Sequence, residues 1–149
     1  MKILNERKQI ELAKALFNEV WSLLDRPQRS PDETARMVHA AHASRFLWDD
    51  VGTGTQWARG EWQVSRVYSA VGRHEPALAH AQACLSLCQE HDLSPFDHAF
   101  AHEALARGHA LRGDADASRH HLERSKEHAA ALEDGEERAL LFSDLATIG

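Results

Sequence analysis

Apolar residues recur along this chain in steps of three and four, and nowhere do Val, Ile, Thr and aromatic residues alternate with polar ones as a half-buried strand requires. The pattern predicts helix throughout. Ile10, Ala13, Phe17, Val20 and Leu24 share one face of a first helix from about Asn5 to Arg26, which Pro27 stops. Ser30-Pro31-Asp32-Glu33 then supplies an N-cap serine, a proline at the first helical position and a glutamate placed for a capping box. The second helix carries Met37, Ala41, Ser44 and Trp48 on one side and His39, His42 and Phe46 on another, and ends near Gly52. A third helix covers about Gln56 to Val71, a fourth starts near Pro76 and reaches Glu90, and a fifth opens at Ser94-Pro95 and ends at Gly113. A sixth runs from about Ala115 to Leu132, and Asp134 with Glu137 caps a last helix reaching Thr147. The expected fold is all-α, with about seven helices in antiparallel helix-turn-helix pairs.

The Gly-Thr pairs of VGTGTQWARGEW, Val51 to Trp62, raise the question of a phosphate loop. Such a loop needs a preceding strand and glycines at fixed offsets so that backbone N–H groups converge on the anion, and this segment has neither. It reads as a corner instead. Gly52 suits a left-handed C-terminal cap for the second helix, and Thr53 with Gln56 suits a capping box for the third. Anion binding at the fresh helix N-terminus is a minor reading.

A shift of 41 residues brings Val64 onto Leu105, Ser65 onto Ala106, Tyr68 onto His109, Gly72 onto Gly113, Ala77 onto Ser118 and Cys84 onto Ser125. Large, small, large, turn and small residues recur in that order. Val64-Ser65-x-x-Tyr68, Gly72 and Ala77 resemble the tetratricopeptide repeat family, and the likeness covers about Trp57 to Ala131. The chain departs from that pattern in three places: Trp62 stands one position late, His102 and His109 stand where aromatic residues are usual, and the period exceeds the usual length of about 34. The resemblance, to small bacterial proteins of this kind, implies a short right-handed α-solenoid in one domain spanning 1–149. Its parts would be an N-terminal pair (5–52), two repeats (56–91 and 95–133) and a terminal helix (135–147). It implies a partner-binding scaffold rather than a chemistry.

Composition narrows the partners. With 149 residues, 43% hydrophobic and 27% charged, the chain fits one globular domain. A net charge of −6 supplies no field for nucleic acid or an anionic membrane surface, so neither is expected as a partner. Cys84 and Cys88 sit one helical turn apart without the Cys-x-x-Cys spacing of redox or zinc sites, and read as buried packing residues. No secretory signal or membrane-spanning run is present, so a cytoplasmic location is expected.

In a repeat of this kind the first helix of each pair lines the concave surface. Arg59, Trp62 and Arg66 then share one face, and Glu103 and Arg107 join them from the fifth helix. Arginines around an exposed tryptophan could clamp a carboxylate while the indole takes an apolar side chain. The competing reading makes Trp62 core and pairs the arginines with Glu61, Asp49 or Asp50. Eleven histidines raise a metal alternative, with Asp97, His98 and His102 on the fifth helix and His39 and His42 on the second. No His-Glu-x-x-His occurs, His102 and His109 fall on packing positions, and His120, His121 and His128 read as surface residues. No nucleophile elbow or phosphate-loop lysine is present, so neither catalysis nor a cofactor is expected. The expected function is a non-catalytic protein- or peptide-binding scaffold. The alternatives are a small-molecule or metal-binding domain built on the histidines of helices two and five, and self-association through the terminal helix. Leu140, Leu141, Phe142, Leu145 and Ile148 spread around that last helix. It either caps the fold against helices five and six or forms a homodimer through Leu141, Phe142, Leu145 and Ile148.

Overall fold

A computed structural model describes residues 4–149. It contains seven α-helices, and no strand occurs among the described residues. They are α1 (Glu6–Leu24), α2 (Pro31–Val51), α3 (Gly54–Ala70), α4 (His74–Glu90), α5 (Pro95–Arg112), α6 (Ala115–Ala129) and α7 (Gly135–Leu145). No helix is long and apolar enough to cross a membrane among the described residues.

The caps explain the boundaries. Ser30 and Glu33 form the full capping box, with Pro31 in the first turn of α2. Helix α3 starts two residues before Gln56, whose side-chain Oε1 accepts the Thr53 backbone N–H at 2.8 Å. Helix α4 likewise opens at His74 rather than Pro76. Gly52 is not left-handed: its backbone is extended, at φ −99° and ψ −179°. What demands glycine there is space, because a Cβ would lie 2.8 Å from the Trp48 carbonyl oxygen. Left-handed backbone occurs instead at Gly72 (φ 80°), Gly113 (φ 90°) and Asp92 (φ 49°), in the turns after α3, α5 and α4.

The 41-residue shift is visible in three dimensions. Helices α3 and α5 begin at 54 and 95, and α4 and α6 at 74 and 115. After α3, Gly72 N–H reaches Ser69 O and Arg73 N–H reaches Tyr68 O; after α5, Gly113 N–H reaches Ala110 O and Asp114 N–H reaches His109 O. The clips inside the pairs are equivalent too, with donor and acceptor helices exchanged. Ser65 Oγ on α3 donates to the Ala77 carbonyl on α4 at 2.7 Å, and Ser118 Oγ on α6 donates to the Ala106 carbonyl on α5 at 2.9 Å. Ser44 pins α2 to the Ala13 carbonyl of α1, and Ser125 pins α6 to the Ala99 carbonyl of α5, each at 2.8 Å. Each pair is thus tied by a buried serine beside an alanine, which lets the two backbones approach closely.

Each helix packs on its successor, and α3 also contacts α1 and α5, while α5 contacts α7. One core cluster joins α1, α2 and α3 through Val20, Leu23, Met37, Ala41, Val64 and Val67. The other runs from α3 to α7 and holds Trp62, Cys84, Leu85, Cys88, Phe100, Leu105, Leu141 and Leu145. Cys84 and Cys88 are free, buried thiols; a hydrogen bond between them and burial push the Cys84 pKa well up, which leaves it a packing group. On α1, Gln9 and Leu23 are the buried partners of Ala13 and Val20, while Ile10, Phe17 and Leu24 are half-buried. The face is rotated because Gln9 Nε2 donates to the Leu47 carbonyl at 2.8 Å, tying α1 to the end of α2.

Helix α7 folds onto α5 and α6. Leu141 and Leu145 are therefore spent within the chain, and of the four residues expected at a homodimer contact only Phe142 is exposed, beside Leu140.

Candidate functional site

Phe17 and Trp21 on α1, Trp62 on α3, and Phe96 and Phe100 on α5 form a continuous aromatic floor. Ring centroids lie 6.4 Å apart for Phe17–Trp21, 5.3 Å for Trp21–Trp62, 5.5 Å for Trp62–Phe100 and 4.9 Å for Phe96–Phe100. Together with Ala58, Arg59 and Leu140 they line a cavity of about 530 Å³. A second cavity of about 510 Å³ shares Trp21 and Asp25 and adds Arg66, Arg107 and Ile148. The two make one groove crossing α1, α3, α5 and the segment around α7.

The five residues expected at the binding face are brought together here, but not as an exposed clamp. Trp62 is only 7% exposed, and its indole N–H donates to Glu103 Oε2 at 2.9 Å. Glu103 is fully buried and lies 41 residues after Trp62, at the equivalent place in the repeat. Its Oε1 accepts from Arg107 Nε at 2.9 Å, Arg107 Nη2 at 2.7 Å and Arg66 Nη1 at 3.2 Å. A carboxylate so deep in the fold is tolerable only because four N–H donors meet it. Those bonds occupy the guanidinium groups that a ligand carboxylate would need. Arg107 Nη2 also donates to the Asp144 carbonyl and to Thr147 Oγ1, locking the end of α7 over the groove. Burial and the Arg107 charge lower the Arg66 pKa, and burial and Glu103 raise that of Asp144, with Arg66 3.9 Å away.

Arg59 is the exception, at the groove rim, pairing with buried Asp97 at 2.9 Å and lying over the Phe96 ring. The acids expected to pair with the groove arginines, Glu61 and Asp49, are held by Arg45 at 3.2 and 2.6 Å. Asp50 is exposed.

The histidines separate into two clusters. On the opposite side of α3, His42 Nε2 meets the Tyr68 hydroxyl at 2.8 Å, and His80 Nδ1 meets Glu61 Oε2 at 2.7 Å. Burial and His80 lower the His42 pKa. His39 is exposed, and the α2 histidines do not join those of α5. Asp97, engaged by Arg59 and Ser94, is likewise not a partner of His98 and His102. His98 and His102 face α6 instead, in a ladder with His128, His121 and His109. Centroid spacings are 5.0 Å (His98–His128), 5.5 Å (His128–His102), 5.3 Å (His102–His121) and 5.6 Å (His121–His109). His121 and His128 are therefore half-buried rather than surface residues. Burial and neighbouring histidines push the His102 and His121 pKa values down to about 4. No three His, Cys, Asp or Glu side chains form a metal-ligand group among the described residues.

Sequence reasoning missed Glu103 as the hub, although its offset from Trp62 equals the repeat shift. It also missed the α6 half of the ladder, where the signal was three histidines at i, i+1 and i+8 opposite those of α5. Compared with known protein families, curated proteins and solved structures, the chain matches none.

Proposed function

We propose that this chain is a non-catalytic scaffold whose helical pairs stack as a short, right-handed solenoid like that of tetratricopeptide repeats, and that it binds a peptide segment of a protein partner in the α1–α3–α5 groove. The succession of contacts α1–α3, α3–α5 and α5–α7 supports the stacking. The aromatic-floored cavity of about 530 Å³ carries the binding reading, since a space of that size with apolar walls and few polar groups suits a large apolar side chain. The anchor in this reading is Trp21, Phe96, Phe100 and the face of Trp62, with Arg59 as the polar contact at the rim. Arg66, Glu103 and Arg107 hold the floor in place. Two free, buried thiols support a reducing, cytoplasmic setting.

Selection from a displayed random-peptide library tests the reading. Enriched peptides should carry one large apolar residue and lose binding to Leu140→Lys, which places a charge at the exposed rim, and to Ala58→Phe, which fills the cavity. Phe46→Asp, on the 65% exposed far side of α2, should change nothing. Peptides that bind all three variants equally, or no enrichment at all, would refute it.

A further inference from the structure

The charges around the α1–α3–α5 groove do not balance. Arg59 is matched by Asp97 at 2.9 Å, while Arg66 and Arg107 share the single buried carboxylate of Glu103, at 3.2 and 2.7 Å. The second positive charge of that trio is answered by Asp144, 3.9 Å from Arg66 and beyond hydrogen-bond reach. That leaves Asp25, exposed at the C-terminal end of α1, whose carboxylate has no ion pair or hydrogen bond among the described residues. It lines both cavities of the groove. Neither α1 nor α7 has a basic residue in its last turn, so the negative ends of the two helix dipoles are met only by Arg29 at α1 and Arg107 at α7.

Apolar surface and negative charge come in register. On α1, Phe17, Trp21 and Asp25 follow one another at steps of four on one face, and on α7 Leu140 and Asp144 do the same. All five line the cavity of about 530 Å³. Each wall thus sets an apolar side chain about 6 Å, one turn, before a carboxylate. Trp21 lines both cavities, and an indole face is the best aromatic surface for a cation.

We infer that the partner segment carries a lysine or arginine beside its apolar anchor. The anchor fills the aromatic cavity, and the cation lies over Trp21 against the carboxylates of Asp25 and Asp144. The inference rests on the groove being the peptide site proposed above, and it gives that peptide a charge opposite to the one a carboxylate clamp would select. Two residues of extended chain advance about 6.6 Å and four residues of helix about 6 Å. The basic residue therefore falls two positions from the anchor in an extended ligand and four in a helical one. Burial and Glu103 hold the Asp144 carboxyl above its usual pKa, a cost that a cation beside it would relieve. Arg66, on which Asp25 and Asp144 both act, is the like charge that limits affinity.

Selection from a displayed random-peptide library on the parent chain and on Asp25→Lys tests the charge preference. Peptides enriched on the parent should carry Lys or Arg two or four positions from the large apolar residue. On Asp25→Lys the apolar residue should persist and the basic one disappear. A parent-selected peptide, labelled and titrated by fluorescence anisotropy at about 0.05 M salt, should bind Asp25→Asn and Asp144→Asn each about two- to fivefold more weakly. Asp50→Asn, at the exposed end of α2, should bind like the parent. Asp25 is exposed, so its variants keep the test valid if Asp144→Asn does not fold. An apolar residue enriched with no basic neighbour, or a basic neighbour that survives Asp25→Lys, would overturn this inference and leave the groove as the peptide site. Absence of any enrichment would overturn both.

Discussion

Glu103→Gln is the sharpest perturbation that the structure offers. The carboxylate is fully buried and accepts four N–H donors from Trp62, Arg66 and Arg107, joining α3 to α5. Glutamine keeps the shape but replaces one oxygen with an NH₂. In the orientation that satisfies the arginines, that NH₂ faces the Trp62 indole N–H, two donors with no acceptor between them. The charge is lost as well, leaving the half-buried Arg66 and Arg107 side by side with Asp144, 3.9 Å from Arg66, and Asp25 as the remaining acids that act on Arg66. Breaking a buried pair from one side costs about 3–5 kcal/mol, against about 0–1 kcal/mol for an exposed pair such as Arg36–Glu19. For a chain of this length that loss lowers Tm by roughly 6–20 °C. Urea unfolding followed by far-ultraviolet circular dichroism, with Arg36→Gln as the surface control, measures it. A Glu103→Gln protein within about 1 kcal/mol of the parent would refute the hub role. Replacing all three charges with apolar residues, Glu103→Leu with Arg66→Met and Arg107→Met, should recover most of the stability, because the desolvation cost disappears with the attraction.

Four further outcomes are expected. His102 and His121, with pKa values lowered to about 4, make stability fall as pH drops from about 6.5 to 4 and stay flat below, since the unfolded chain binds the protons first. The pair contributes roughly 2–4 kcal/mol after discounting solvent screening, and urea midpoints at pH 7 and 4.5 should differ less in the double Gln variant. Ser65→Ala and Ser118→Ala, which break equivalent clips, should each cost about 0.5–1.5 kcal/mol by the same assay, and unequal effects would deny the equivalence. Leu141→Ala should cost about 2–5 kcal/mol while exposed Leu140→Ala stays within about 0.5 kcal/mol, a contrast that thermal melts resolve. Gly113→Ala should destabilise by roughly 1 kcal/mol, because its φ of 90° strains any residue with a Cβ even though the space is open; a neutral melt would argue against that turn.

The sequence by itself determined the secondary structure and its punctuation. Helical periodicity, the Ser30–Glu33 box, Pro31 and Pro95 in first turns, and Gly72 and Gly113 after helices act within a few residues, so each is legible locally. The 41-residue shift was legible for the same reason, as a recurrence of sizes along one strip of helix. Gly52 misled because the requirement there is a close approach to the Trp48 carbonyl rather than a left-handed turn, and both call for the same residue. What only the tertiary structure decided was the use of each polar side chain. Arg59, Trp62, Arg66, Glu103 and Arg107 were found as a group from their spacing, but whether they face a ligand or one another depends on how far α5 lies from α3. The pairing of His102 with His121 depends in the same way on the relative rotation of α5 and α6. Helix propensity and capping are short-range. Charge pairing and burial depend on distances between helices that no local pattern encodes.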